Sequence, residues 1–326
     1  MNHILDVPGL KVGHASDPKA RSGVTTVVMD EAGICGVAVH GGAPGTRETD
    51  CLAPHTLGPA VDAVCLSGGS AFGLASSDGV QRALAAHGRG FVLGPHKIPI
   101  VPGAVVFDLS GPLADYRSLG EESVAAALDR PADLSIGTVG AGTNATTATM
   151  KGGLGSASTK LACGGTVGAI VVVNAVGSTV ASNGPWFRAH PFEKDSEFGG
   201  LTPPPEAEWS AVRTKLRTEA GLNTVIAVVA TDIALTRGEA TRMAMTAHDG
   251  LALAIWPSHT LFDGDTVFAL TTEKRPKPAS PIAMVELFAA AASTLARAVA
   301  RGVHAATASE GDTKPTWAET ASRLSD

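Results

Sequence analysis

The sequence predicts a layered α/β fold, two packed sheets covered by helices on both outer faces. Two observations carry this. Short β-rich runs alternate with alanine-rich helical patterns, yet many strands are adjacent in sequence, as in layered sandwiches and unlike strict βαβ winding. The chain also holds 38 glycines against only 4% aromatic residues, which implies tight turns, close backbone approaches and small-residue packing between layers.

The elements follow in order. Gly23–Met29 and Asp62–Leu66 are rich in β-branched residues and read as strands. Ser67-Gly68-Gly69-Ser70 then leads into a helix over Ala71–Ala86, with an apolar face at helical spacing. Val105–Leu109 reads as a strand and Glu121–Leu128 as a short helix. Val167–Val173 has the continuous apolar character of a strand buried on both faces, and it ends at Asn174. From Asn183 to Pro205 the composition turns to Pro, Gly, Trp and charged residues, which predicts an exposed linker, with a short helix over Glu206–Glu219 after it. Thr224–Ala230 and Asp265–Thr271 are strands; Gly238–Ile255 and Pro281–Arg301 are helices. The tail after Gly302 is polar and is expected to fray.

The 326 residues allow two domains of about 150 residues or one large α/β unit. With 44% hydrophobic and 17% charged residues, the chain can build a large core. A net charge of −6 without a basic block argues against a nucleic-acid partner. The N-terminus lacks a charged segment followed by an apolar one, and no uninterrupted apolar run reaches the roughly 20 residues of a membrane span, so a cytoplasmic protein is expected. Cys35, Cys51, Cys65 and Cys163 are irregularly spaced without a Cys-x-x-Cys pair; they fit neither a disulfide framework nor a zinc site, and read as buried free thiols.

The dipeptide Asn223-Thr224 carries the most chemistry. It ends a polar, proline-bearing stretch, and the apolar run Thr-Val-Ile-Ala-Val-Val-Ala begins abruptly at Thr224. Asp263 and Asp265 follow downstream, two residues apart, where an extended segment would put both carboxylates on one face. Cleavage before Thr224 would create a residue holding both a nucleophilic hydroxyl and a general base, its α-amine, with a pKa of roughly 7.7–8.0. Asn-Thr before a strand is also an ordinary turn, and Asp-Gly-Asp an ordinary solvated one. Two carboxylates alone supply too few ligands for a hard cation, so no metal and no cofactor is expected.

Several separate motifs, in order along most of the chain, resemble the self-processing L-aminopeptidase/D-esterase family, with its β-peptidyl aminopeptidase and nylon-oligomer hydrolase branches. They are Gly9-Leu-Lys-Val-Gly-His14, Cys65-Leu-Ser-Gly-Gly-Ser-Ala-Phe-Gly-Leu74, Val139-Gly-Ala-Gly142, Val171-Val-Val-Asn174 and Phe262-Asp-Gly-Asp-Thr-Val-Phe-Ala-Leu-Thr271. The resemblance implies a four-layer α-β-β-α sandwich, cut autocatalytically into a large subunit (residues 1–223) and a small one (224–326) that remain one folded unit. It also implies a homo-oligomer of such pairs, with Thr224 as the nucleophile. The nylon-oligomer branch has an Asn-Thr cleavage site and two acidic residues, matched by Asn223, Thr224, Asp263 and Asp265. The β-peptidyl branch has a serine nucleophile and a Ser-x-Glu pair, from which this chain departs.

By the same resemblance Asn174 is the oxyanion-hole amide, Lys151 in Met-Lys-Gly-Gly the catalytic-site lysine, and Tyr116 a substrate-contacting residue. Ser67, Gly68 and Gly69, at a strand-to-helix junction, could cradle an anionic group on their amides. His248 and His259 are further candidate bases, though neither stands in a triad order and the α-amine already fills that role. The leading function is an aminopeptidase or small-amide hydrolase acting on a small peptide or amide. Three alternatives stay open: a 6-aminohexanoate oligomer hydrolase, an ornithine acetyltransferase-like acyltransferase, which would also self-cleave before threonine, and a non-catalytic relative that never matures.

Overall fold

The computed structural model describes residues 1–58, 60–129, 134–217 and 223–323. Along them run β1 (Leu10–Asp17), β2 (Ser22–Val39), β3 (Thr46–Arg47), β4 (Val61–Ser67), α1 (Ser70–Gly73), α2 (Ala75–Ala86), β5 (Phe91–Leu93), β6 (His96–Ile98), β7 (Gly103–Val105) and α3 (Tyr116–Asp129). There follow β8 (Gly153–Lys160), β9 (Thr166–Asn174), β10 (Thr224–Ile233), α4 (Arg237–Ala254), β11 (Thr266–Arg275), α5 (Pro281–His304) and α6 (Trp317–Ser322).

The two expected sheets are halves of one hydrogen-bonded sheet of nine strands, in the order β3-β7-β4-β2-β11-β10-β9-β8, with β1 also on β2. The 18-residue β2 joins them. Its first part pairs with β1 and β4, its last part with β11, and the register shifts between Val28 and Gly33.

Side chains alternate faces along a strand, so each half feeds two cores. On β10, Val225, Ala227 and Val229 face the core beneath α4 and α5, while Ile226, Val228 and Ala230 face a second core. On β4, Val64 and Leu66 enter that same second core from the other half, and Ala63 and Cys65 face a third, beneath α2 and α3. The second core therefore lies between the halves. Each Val, Leu or Ile fully buried there contributes about 1.5–3 kcal/mol.

Several expectations need correction. The strand expected over Val105–Leu109 is the short β7, ending at Val105. The exposed linker over residues 183–205 instead lends Phe187, Ala189 and Phe198 to the core. Over the described part of Glu206–Glu219 only a single 3₁₀ turn forms, at Lys215–Arg217; Glu219 lies outside the described residues. Over its described residues the tail packs where fraying was expected: α6 carries Trp317, which stacks on Phe187 at 5.7 Å and donates its indole N–H to the Pro185 carbonyl. Cys35 and Cys65 are buried free thiols, but Cys163 is exposed. The helix α5 is long and apolar enough to cross a membrane by length and composition, a property that no single apolar run displayed. Leu287, Leu295, Val299 and Val303 show its actual use, packing into the core it shares with α4.

Candidate active site

Topology explains why distant motifs converge. β9 is antiparallel to β10, so its last residue, Asn174, pairs with the first residue of β10, Thr224. β11 is parallel to β10, so the loop entering it lies at the same end, and Asn223 forms a parallel bridge with Asp263. Three chain segments thus meet at one end of the interior strands, where Asn174, Asn223, Thr224, Asp263 and Asp265 are all buried.

The Asn223 carbonyl, at the bond to Thr224, is the focus of the site. The Thr224 Oγ1 hydroxyl donates to the Asn223 oxygen at 2.6 Å. The Gly264 N–H donates to that same oxygen at 2.9 Å. A carbonyl held between a hydroxyl and a backbone amide has the layout of an oxyanion site.

Each aspartate fixes a separate part of this frame. Asp265 accepts from the Val225 N–H at 2.9 Å through Oδ1, and through Oδ2 from His259 N at 3.1 Å and His259 Nδ1 at 2.7 Å. It thereby pins the residue after Thr224. Asp263 accepts from Val176 N at 3.2 Å, and from Thr260 N and Oγ1 at 2.8 and 2.7 Å. Burial pushes the Asp263 carboxyl up, and the nearby Asp265 charge adds to this. Burial alone would lower the His259 imidazolium; the hydrogen bond and charge of Asp265 outweigh it, so its pKa is raised.

Asn174 spends its amide inward. Its Nδ2 donates to the Phe107 carbonyl at 2.9 Å, and its Oδ1 accepts from Thr146 N at 3.1 Å and from Lys215 Nζ at 3.0 Å. Lys215 is 3% exposed and also donates to the Thr146 carbonyl and hydroxyl. This ammonium beside the cluster was missed from the sequence. It sits in a stretch without periodicity, and only its place nine residues before Thr224 sets it apart.

Lys151 is not brought to this cluster. Its ammonium, 1% exposed, bonds Asp312 Oδ2 at 2.6 Å and Ser309 Oγ at 3.1 Å, while Arg21 holds the other Asp312 oxygen. Lys151 thus ties the C-terminal segment to the body. Lys151→Met should lower the unfolding free energy by about 3 kcal/mol, because it strands a largely buried carboxylate with one partner fewer. Denaturant melts of the two proteins would read this loss, and an unchanged unfolding free energy would refute it.

The Ser67-Gly68-Gly69 turn does bind a carboxylate, but one of the chain's own. Gly69 N donates to Asp108 Oδ1 at 2.6 Å, and Ser22 Oγ donates to Oδ2 at 2.8 Å. A Cβ at Gly68 would lie 2.2 Å from Asp108 Oδ2, so no larger residue fits. Tyr116 belongs to this network rather than to Thr224: its hydroxyl donates to Ser22 Oγ at 3.1 Å, and its ring covers Gly69. The adjacent Phe107 carbonyl carries the link on to Asn174.

Burial raises the Asp108 pKa from 3.8 to about 6. The folded chain therefore takes up this proton before the unfolded chain does. That contribution is fully present below pH 3.8 and is lost as pH rises through about 6. Relative to Asp108→Asn, the natural chain should gain roughly 2–3 kcal/mol of stability between pH of about 7 and about 4. Urea melts of both proteins at the two pH values would read this, and a constant difference would refute it.

Residues 2–316 match the model of peptidase family S58. The chain belongs to that family. As a member it is a hydrolase of the peptidase class. An uncharacterized aminopeptidase of Mycobacterium leprae is 45% identical over 336 residues, spanning 94% of this chain and 91% of that one. The 6-aminohexanoate-oligomer endohydrolase of Paenarthrobacter ureafaciens is 30% identical over 305 residues, spanning 85% of this chain and 77% of its own length. Among solved structures, the L-aminopeptidase D-Ala-esterase/amidase of Ochrobactrum anthropi, which has a variant of the Ntn-hydrolase fold, superposes with a TM-score of 0.64. That likeness covers 96% of this chain and 88% of the other at 20% identity, and speaks for the mixed α/β fold.

Proposed function

We propose that this S58 member is an autoprocessing N-terminal threonine hydrolase that cleaves amide bonds, most simply an aminopeptidase of small peptides or amides. The observation that carries the reading is the Asn223 carbonyl, with the Thr224 hydroxyl at 2.6 Å and the Gly264 amide at 2.9 Å on its oxygen. In maturation Thr224 Oγ1 attacks the Asn223 carbonyl carbon, and the developing negative charge falls on the oxygen that Gly264 N–H already holds. The C–N bond then breaks as the proton released by Oγ1 passes to the Thr224 nitrogen, which leaves as a primary amine, and water hydrolyses the resulting ester to free the Asn223 carboxylic acid and restore the hydroxyl.

Joined to Asn223, Thr224 is only 4% exposed, so release of Asn223 would open the site to substrate. In the mature enzyme the Thr224 amine serves as base and the hydroxyl as nucleophile. Asp265, through Val225 N, fixes the start of β10. Asn174 is the second candidate donor to an oxyanion, once its amide leaves the Phe107 carbonyl. The three cores are consistent with a four-layer α-β-β-α arrangement, retained as one unit of residues 1–223 and 224–326. Homo-oligomers of such pairs are part of the same proposal.

Action on 6-aminohexanoate oligomers is the second reading, favoured by the relatives so named and by the Asn223-Thr224 junction with its two aspartates. The deciding experiment is intact mass under denaturing conditions with N-terminal sequencing. Fragments 1–223 and 224–326 are expected, the smaller beginning Thr-Val-Ile-Ala. A single chain that nonetheless hydrolyses amides would overturn the threonine assignment. Release of amine from aminoacyl amides and 6-aminohexanoate oligomers, measured side by side, then separates the two substrate readings.

A further inference from the structure

Behind Asp265 three imidazoles meet. His40, His248 and His259 each present a ring nitrogen within 4.8 Å of the others. They come from the end of β2, from α4 and from the loop before β11, so the fold rather than a local motif assembles them. None has a role in the chemistry proposed above except through the contact of His259 with Asp265.

Their hydrogen bonding determines which nitrogens are available. His248 is 1% exposed, and its Nε2 faces the Ala38 carbonyl at 3.0 Å. A carbonyl only accepts, so Nε2 carries the hydrogen and Nδ1 keeps a lone pair. That Nδ1 is buried and has no hydrogen-bond partner among the described residues. His259 gives its Nδ1–H to Asp265, which leaves Nε2 on the side of the ring toward the His248 carbonyl. Nε2 lies 3.4 Å from the His248 carbonyl, beyond the usual N–H···O range of about 2.7–3.2 Å. A carboxylate behind one ring nitrogen is the outer-sphere arrangement that orients metal-binding histidines.

We propose that His40, His248 and His259 form a binding site for one late first-row divalent ion of the zinc class, with water completing the coordination. Three imidazole nitrogens suit zinc, nickel or copper, and zinc accepts three protein ligands with one open position. Tetrahedral Zn–N bonds of about 2.0–2.1 Å require nitrogens roughly 3.3 Å apart. The cluster must therefore tighten. His40 stacks on His248 at 3.9 Å, and being exposed it can turn its ring toward the shared point. The ion would brace Asp265, and through it the Val225 amide beside Thr224. The site itself stands whether or not Thr224 is the nucleophile.

The test uses the full chain as expressed, freed of metal by chelator and titrated with Co²⁺, then with Zn²⁺ in competition. One equivalent of Co²⁺ should give the intense visible absorption of a four-coordinate site, and Zn²⁺ should abolish it. His40→Gln, at an exposed position, should fold normally and weaken Zn²⁺ binding by more than the roughly 10–100-fold typical of outer-shell changes. Cys163→Ser, removing the exposed thiol, should leave binding unchanged. The proposal is overturned if the natural chain takes up no Co²⁺ or Zn²⁺, if His40→Gln binds as tightly as the parent, or if Cys163→Ser loses the ion.

Discussion

Thr224→Ala is expected to yield one uncut polypeptide without amidase activity. Loss of a catalytic nucleophile typically costs about 10⁶ in kcat, so turnover should fall below detection. The fold should survive. The backbone of residue 224 still pairs with Asn174, and the lost hydroxyl gave one hydrogen bond, to the Asn223 carbonyl, worth about 1 kcal/mol net. Thr224→Ser keeps the hydroxyl but loses the methyl that stiffens χ1. Holding a freer side chain against the carbonyl costs on the order of 1 kcal/mol, which corresponds to about fivefold slower maturation. The two variants thus separate hydroxyl chemistry from packing. Intact mass over a time course, with amide hydrolysis on the same samples, reads both. A cleaved and active Thr224→Ala protein would remove the nucleophile assignment altogether.

The legible parts of the sequence share one physical trait: their side chains meet apolar surface on both sides. β9, β10 and β11 as far as Thr271 are β-branched and apolar runs because both faces are buried, and their sequences can hardly read otherwise. β1 and β8 are as regular but were not foreseen. Each carries a glycine where a helix lies almost on its backbone, and β8 is built largely of small residues. A Cβ at Gly13 of β1 would sit 2.0 Å from the Ser123 carbonyl of α3, and one at Gly155 of β8 would sit 1.9 Å from the Ala298 carbonyl of α5. Gly36 of β2 meets Thr241 of α4 in the same way, at 2.3 Å. Glycine within a strand marks close approach of another backbone, and local propensity mistakes this for a loop.

The candidate site divides along the same line. Asn174, Thr224, Asp263 and Asp265 were legible because they stand at strand ends, where a break in the apolar pattern is conspicuous. Lys215 was not, since its partners Thr146 and Asn174 are 69 and 41 residues away. Lys151 stands apart: its Gly-flanked motif points to chemistry, while its ammonium holds Asp312. The amide of Gly264 was invisible for a simpler reason: a backbone donor leaves no mark on a sequence beyond the space around it.

That space makes Gly264→Ala the sharpest structural test of maturation. The backbone of Gly264 is not in the left-handed region, so alanine is conformationally acceptable there, and only room is lacking. A Cβ would lie 2.7 Å from the Ala43 carbonyl oxygen, 2.7 Å from Thr224 Oγ1 and 3.1 Å from Pro44 Cα. The Ala43 side cannot readily retreat, because Ala43 N is bonded to the Asp263 carbonyl at 2.8 Å. Either the Thr224 hydroxyl swings off the Asn223 oxygen, or the Gly264 N–H withdraws from it. The first removes the attacking group from its target; the second removes the oxyanion donor, a loss worth about 10²–10³ in rate. Maturation should therefore slow by at least roughly 100-fold while the protein remains folded. Gly238→Ala in the first turn of α4 is the matching control, because nothing lies within 4 Å of its added Cβ. It should mature at the parental rate and be slightly more stable, as alanine favours helix over glycine by about 1 kcal/mol. If Gly264→Ala folds and matures as fast as that control, the Gly264 amide plays no part in cleavage, and the charge formed on the Asn223 oxygen must be met by another donor.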